Sequence, residues 1–129
     1  MRACEKHNRY EIIEKERNLT YEDQRYSCKN EPTLSFEVFP PKTEDKYESV
    51  EQAASEIAKL NPAFMSVTYG AGGGTSQYTV DIAASLKAKG VTPLAHLTCV
   101  SSTREKVHSV LDQLKAQGIE NVLALRGDI

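Results

Sequence analysis

The amino-acid sequence predicts an α/β fold built from parallel strand–helix units. Four short apolar segments begin at residues 34, 63, 92 and 121, a regular spacing of 29 residues. An amphipathic helical pattern lies between each successive pair of segments. A repeat of this length has the size of one βα unit, and short connections between alternating strands and helices make the strands parallel.

The predicted strands cover residues 34–39, 63–69, 92–98 and 121–126. The first has to end at Pro40 and Pro41, because proline lacks the N–H group that a strand ladder requires. In the first three strands one face is polar near the carboxyl end. The residues on that face are Ser35 and Glu37, then Ser66 and Thr68, then His96 and Thr98.

The predicted helices lie near residues 45–60, 76–89 and 103–117. The last two should stop at Gly90 and Gly118, since glycine favours the left-handed conformation that ends many helices. Ser102 and Glu105 have the spacing of a capping box at the start of the third helix. The apolar faces are formed by Tyr47, Val50, Ala54, Ile57 and Leu60; by Val80, Ala83, Ala84 and Leu86; and by Val107, Val110, Leu111 and Leu114.

Two architectures have this element order, a doubly wound sheet and part of a TIM (βα)8 barrel. A central strand of a doubly wound sheet is apolar on both faces. Polar residues that point inward near the carboxyl ends of strands are typical of a barrel enzyme. We therefore predict the first half of a TIM barrel, with four strands and three helices.

The length of 129 residues is about half of the roughly 250 residues of a complete barrel. We expect either a truncated product or a barrel whose other half comes from another chain. Residues 1–32 are predicted to form a charged N-terminal extension, and residues 33–129 the half barrel. Residues 1–30 carry 13 charged side chains and few aliphatic ones, too little apolar area to fold alone.

Composition excludes several classes of protein. The net charge of −2 argues against nucleic acid or an anionic membrane as the main partner. There is no apolar run of membrane-spanning length, and the charged N-terminus does not resemble a signal peptide. Three widely spaced cysteines indicate free thiols rather than disulfides or zinc, so we expect a cytoplasmic protein without a metal site.

Glu37 is the strongest candidate for chemistry. A carboxylate among aromatic side chains loses hydration and holds its proton more readily, which suits general-acid work. The alternative is a glutamate at a strand end that reaches water or an ion pair. The other candidates are the glycine-rich loop at residues 70–74, His96 in the third strand, and Arg126 and Asp128 after the fourth. For each of them a purely structural role is the alternative to a functional one.

Four segments together resemble the methylenetetrahydrofolate reductase family, which consists of flavin-dependent barrel enzymes. They occur in the family's order and at strand ends, and the resemblance covers about residues 33–129. The segments are Ser-Phe-Glu-Val-Phe-Pro-Pro (35–41), Ser-Val-Thr-Tyr-Gly-Ala (66–71), His-Leu-Thr-Cys (96–99) and Ala-Leu-Arg-Gly-Asp (124–128).

This resemblance implies that NADH or NADPH reduces FAD, which then reduces 5,10-methylenetetrahydrofolate to 5-methyltetrahydrofolate. It implies that Glu37 is the general acid, that Thr68 lies at the reactive edge of the flavin, and that Asp128 lies near flavin and folate. Thr68 and Asp128 are also expected to contact the substrate. The remaining residues implied in the FAD site are Tyr69, Ala71, His96, Arg126 and Gly127.

The half barrel leads us to expect weak FAD binding and little or no turnover by this chain alone. It also leads us to expect a homo-oligomer or a complementing chain, because open strand edges pair readily. Two alternatives stay open: a non-catalytic half barrel or partner subunit, and another barrel enzyme that acts on pterins or one-carbon units.

Overall fold

A computed structural model describes residues 32–69, 76–100 and 102–126. Strands and helices alternate along the described chain, and a short 3-10 helix at Glu44–Lys46 leads into the first α-helix. In chain order the elements are β1 (Ser35–Val38), α1 (Tyr47–Ala58), β2 (Phe64–Val67), α2 (Ser76–Ala88), β3 (Pro93–Thr98), α3 (Arg104–Ala116) and β4 (Asn121–Leu125).

The four strands form one parallel sheet in the order β1-β2-β3-β4. The chain therefore adds each new strand beside the previous one. A doubly wound sheet instead reverses its strand order at a switch point. The sequential order confirms the predicted α/β fold and is consistent with part of a TIM barrel.

The pairing register separates the two faces of the sheet. Phe36 lies opposite Met65, and Val38 lies opposite Val67. These residues share the face that packs under the helices, where Met65, Val67 and Ala95 are fully buried. The core forms between this face and the helices because the apolar stripes of α1, α2 and α3 have no other surface to cover.

Helix α2 lies at the centre of the helix layer and contacts β2, β3, α1 and α3. Val80, Ala83 and Leu86 are buried as predicted. Ile82 and Thr79 are buried too, because a helix with neighbours on both sides buries more than one stripe.

The helix ends follow the sequence signals at two glycines. Gly90 and Gly118 have φ angles of +82° and +67°, as the glycine rule predicts. The predicted capping box at Ser102 is wrong by one residue. The N-cap of α3 is Thr103, whose hydroxyl accepts a hydrogen bond from the N–H of Lys106 at 3.2 Å.

The opposite face of the sheet is not covered by the described helices. Ser35 and Glu37 are exposed on β1, and Leu123 and Leu125 of β4 are about 40% and 39% exposed. We call this surface the inner face. Within the described ranges, no helix is long and apolar enough to cross a membrane.

Candidate functional site

The inner face brings together polar side chains from three neighbouring strands. Glu37 comes from β1, Ser66 from β2 and His96 from β3. Ser66 donates a hydrogen bond from Oγ to Glu37 Oε1 at 3.5 Å. His96 Nε2 lies 3.8 Å from the same oxygen. We call these three residues the carboxylate cluster.

Parallel pairing explains how the sequence builds this cluster. Glu37 lies directly opposite Ser66, so their side chains leave the sheet on the same face. Ser66 lies opposite Leu94, which places His96 one pleat further along β3 and diagonally across β2 from Glu37. The two side chains reach toward each other over β2, and His96 Nε2 comes within 3.8 Å of Glu37 Oε1.

The three residues of the carboxylate cluster differ in solvent exposure, and Glu37 is the most exposed. Ser66 is 8% exposed, whereas the side chains of His96 and Glu37 are 12% and 45% exposed. The two partners therefore lie deeper than the carboxylate they approach. Glu37 keeps one side open to whatever binds on the inner face, and a carboxyl group in that position can give or take a proton.

The expected enclosure of Glu37 by aromatic rings is wrong for the described residues. Phe36 lies on the helix-facing side of β1 and packs against the core. Phe39 follows the strand and is 67% exposed. Because successive side chains of a strand point to opposite faces, the ring of Phe36 lies on the face away from Glu37. The ring of Phe39 is not covered by other described residues and does not enclose the carboxylate.

Two predicted cofactor residues, Thr68 and Tyr69, follow the carboxyl end of β2. The N–H of Thr68 donates to the carbonyl of Val38 at 2.9 Å. The hydroxyl of Thr79, in α2, donates to the carbonyl of Thr68 at 3.0 Å. The backbone at this end of β2 is thus held by a neighbouring strand on one side and by a buried helix residue on the other.

The remaining predicted site residues fall at the edge of the described structure or beyond it. Arg126 is exposed just after β4. Ala71, Gly127 and Asp128, like the whole glycine-rich loop at residues 70–74, lie outside the described residues, so their roles stay predictions. Among the cysteines, Cys99 is described and is an exposed free thiol.

The described donor set fits a flavin nucleotide in its chemistry. The hydroxyl of Thr68 and the imidazole of His96 can hydrogen-bond a polar ring edge. Tyr69 is partly buried and packs against the core, so its role in the site stays a prediction. The exposed guanidinium of Arg126 is suited to a diphosphate, which it can bind through two parallel hydrogen bonds. These groups come from the carboxyl ends of β2, β3 and β4, where barrel sites are built.

Sequence reasoning gave no role to two residues of this site. The sequence places Ser66 on the polar face, and the signal that pairs it with Glu37 is their separation of 29 residues, which equals the strand repeat. Thr79 was missed because it lies beside the predicted apolar stripe of α2. A buried polar residue at that position signals a hydrogen bond to a neighbouring element.

Comparisons with a family model and with individual proteins point to the same family. The family model described as methylenetetrahydrofolate reductase matches residues 22–129. A methylenetetrahydrofolate reductase (NADH) 1 of Arabidopsis thaliana is 36% identical over 118 residues, which is 91% of this chain and 19% of the relative. The protein of the same description in Zea mays is 42% identical over 96 residues, 74% of this chain and 16% of the relative.

Bacterial relatives are shorter. A 5,10-methylenetetrahydrofolate reductase of Pectobacterium carotovorum is 37% identical over 97 residues, covering 74% of this chain and 33% of the relative. The chain thus spans about a fifth of the plant relatives and a third of the bacterial one.

Proposed function

The chain belongs to the methylenetetrahydrofolate reductase family, and we propose that it carries part of an active site that reduces 5,10-methylenetetrahydrofolate to 5-methyltetrahydrofolate. The electrons come from NADH or NADPH by way of FAD. The observation that carries this proposal is the carboxylate cluster. It contains Glu37, the general acid implied by the resemblance, half-exposed on the inner face beside Ser66 and His96.

Glu37 is proposed to donate its proton to a nitrogen of the folate five-membered ring. Protonation turns that nitrogen into a leaving group, so the ring opens and leaves a cationic carbon–nitrogen double bond. Bound FAD supplies the hydride that reduces this carbon. The carboxylate of Asp128 is proposed to stabilise the positive charge on the substrate.

Thr68, Tyr69, Ala71, His96, Arg126 and Gly127 are proposed to bind and orient FAD. The hydrogen bonds on either side of Thr68 support this role, because a fixed backbone keeps the hydroxyl in place without further loss of entropy on binding. Thr68 is also proposed to contact the substrate.

A second candidate function is a non-catalytic half barrel that assembles with itself or with another polypeptide. The exposed leucines of β4 and the uncovered inner face favour it. The two candidates differ in whether the purified chain binds FAD and in the mass of the particle that does so.

The test begins with FAD titration of the purified chain, followed by flavin fluorescence and by the particle mass of the same sample. We expect weak binding, because a ligand site normally buries most of its ligand and the described inner face is open. A folded sample that binds no FAD would favour the second candidate.

The role of Glu37 is tested by following the two half-reactions separately in a reconstituted complete enzyme that contains this chain. We expect Glu37→Gln to slow the folate half-reaction by roughly 10²- to 10⁴-fold, the usual contribution of a general acid. Reduction of FAD by the nicotinamide should be unchanged, because it requires no proton from Glu37. Glu44→Gln, an exposed carboxylate outside the site, is the matched control. Equal loss of both half-reactions would contradict the assignment.

A further inference from the structure

We propose that Ser66 and His96 determine which oxygen of Glu37 carries the transferable proton, and that Ser66 is a positioning residue that acts through Glu37. The inference rests on the proposed function, in which Glu37 is the proton donor. It goes further by assigning the two carboxyl oxygens different tasks: Oε1 is anchored to the sheet, and Oε2 delivers the proton.

Both contacts of the Glu37 carboxyl group within the described ranges are made to Oε1. The Ser66 hydroxyl approaches it at 3.5 Å, and His96 Nε2 approaches it at 3.8 Å. Both groups are more buried than Glu37 itself. Oε1 is therefore the oxygen nearer to the two deeper side chains, and we infer that Oε2 is the oxygen available to a ligand on the inner face.

The chemistry follows from the difference between the two oxygens of a neutral carboxylic acid. One is a carbonyl oxygen that only accepts hydrogen bonds, and the other carries the proton. The Ser66 hydroxyl donates to Oε1, and with the proton of its neutral imidazole on Nε2 the neighbouring His96 is a second donor on the same side. Oε1 is then the carbonyl oxygen. The acidic proton then lies on Oε2, on the side from which a substrate approaches.

The proton transfer balances within this arrangement. The O–H bond at Oε2 breaks as an N–H bond forms on the folate nitrogen, and Glu37 is left as a carboxylate. Ser66 and His96 then donate to a charged oxygen, and such hydrogen bonds are shorter and stronger than those to a neutral acid. Catalytic contacts commonly tighten when a substrate binds, and the proposal requires the 3.5 Å and 3.8 Å distances to Oε1 to shorten in this way.

The first test uses the full 129-residue chain without cofactor. Nitrogen NMR of the histidine rings, assigned with His96→Gln, reports which ring nitrogen of neutral His96 is protonated. We expect protonation at Nε2 and an Overhauser contact between the Glu37 side-chain methylenes and the His96 ring. Ser66→Ala should weaken that contact, and Ser66→Thr, which keeps a hydroxyl, should restore it.

The control for this test is Ser35→Ala, which removes a serine hydroxyl from the same face of β1. It should leave the contact between Glu37 and His96 intact. Neutral His96 protonated at Nδ1, or a contact that survives Ser66→Ala unchanged, would overturn the proposal.

The second test measures the two half-reactions in a preparation that binds FAD. Ser66→Ala should slow the folate half-reaction roughly ten- to a hundredfold, the scale of a misaligned reacting group, and spare flavin reduction by the nicotinamide. Equal slowing of both would overturn the positioning role. If a preparation that binds FAD and is reduced by the nicotinamide reduces no folate, the proposed function fails, and the NMR result alone decides whether Ser66 and His96 anchor Oε1.

Discussion

Glu51 shows how a single residue can couple two helices on the outer surface. Its Oε1 atom, on α1, accepts hydrogen bonds from Ser85 of α2 and from Lys89, the first residue after α2, each at 2.7 Å. The hydrogen bond from Lys89, followed by that from Ser85, lowers the pKa of Glu51 below its usual value. Lys89 also donates to Ser85, so the three side chains form one network.

This network predicts a specific dependence of stability on pH. Because folding lowers the pKa of Glu51, its contribution is fully present above the usual glutamate pKa and is lost as the pH falls through the lowered one. We expect Glu51→Gln to reduce the free energy of unfolding at neutral pH by about 0.5–1 kcal/mol, the scale of a partly exposed ion pair. Urea unfolding at a series of pH values measures this.

The control is Glu48→Gln, an exposed residue of the same helix. It should change stability little at any pH. The difference between the wild type and Glu51→Gln should shrink as the solution is acidified. A difference that stays constant down to acid pH would show that the carboxylate charge is not what couples α1 to α2.

The candidate site shows how far single residues can be predicted. Alternation along each strand correctly places Glu37, Ser66 and His96 on one face, because successive side chains of a strand point to opposite sides. It does not predict that the two partners of Glu37 converge on one oxygen. That depends on register and on side-chain rotamers, which neighbouring strands set together. Exposure of Glu37 depends on what covers the inner face, which no local pattern encodes.

At the scale of whole elements the sequence is a better guide. The predicted strands begin at residues 34, 63, 92 and 121, and the observed ones begin at Ser35, Phe64, Pro93 and Asn121. Strand positions are predicted well because two signals bound each strand: an apolar segment marks the buried residues, and turn-forming residues mark where the chain reverses. The sequence predicts helix ends less accurately. The left-handed residue after α1 is Asn61, with φ of +51°, and a search for glycines does not find it.

Replacing the two glycines at helix ends by alanine should lower the free energy of unfolding by different amounts. Alanine at Gly90 meets no atom within 4 Å, so only the left-handed backbone opposes it, by about 1–2 kcal/mol. At Gly118 the new Cβ atom would lie 3.2 Å from Lys87 Nζ. Lys87 donates to the Gly118 carbonyl, so moving it away sacrifices that hydrogen bond. We expect Gly118→Ala to be the more destabilising change.

Urea unfolding of both alanine variants measures this order. Asparagine variants provide the control, because asparagine tolerates the left-handed region better than alanine. Gly90→Asn should therefore cost less than Gly90→Ala. If alanine and asparagine are equally costly at Gly90, the backbone conformation is not the cause.

Across the described residues, the helices cover one face of the sheet and leave the other face uncovered. The uncovered inner face exposes Leu123 and Leu125 together with Glu37. Among the described strands, β1 and β4 each have one edge without a neighbouring strand. An unpaired parallel edge beside exposed leucines favours association with another chain.

We therefore predict that the 129-residue chain self-associates through β4 and the inner face. Sedimentation velocity over a wide range of concentrations should show species larger than the monomer. The paired change Leu123→Lys and Leu125→Lys should shift the population toward monomer, because lysine on both residues places charge on the surface that would be buried. The matched control is Leu60→Lys. Leu60 is 61% exposed, but it lies in the turn between α1 and β2 and not on the inner face. This variant should leave association unchanged. A wild-type chain that stays monomeric throughout, or a control variant that dissociates it equally, would contradict an interface at the inner face.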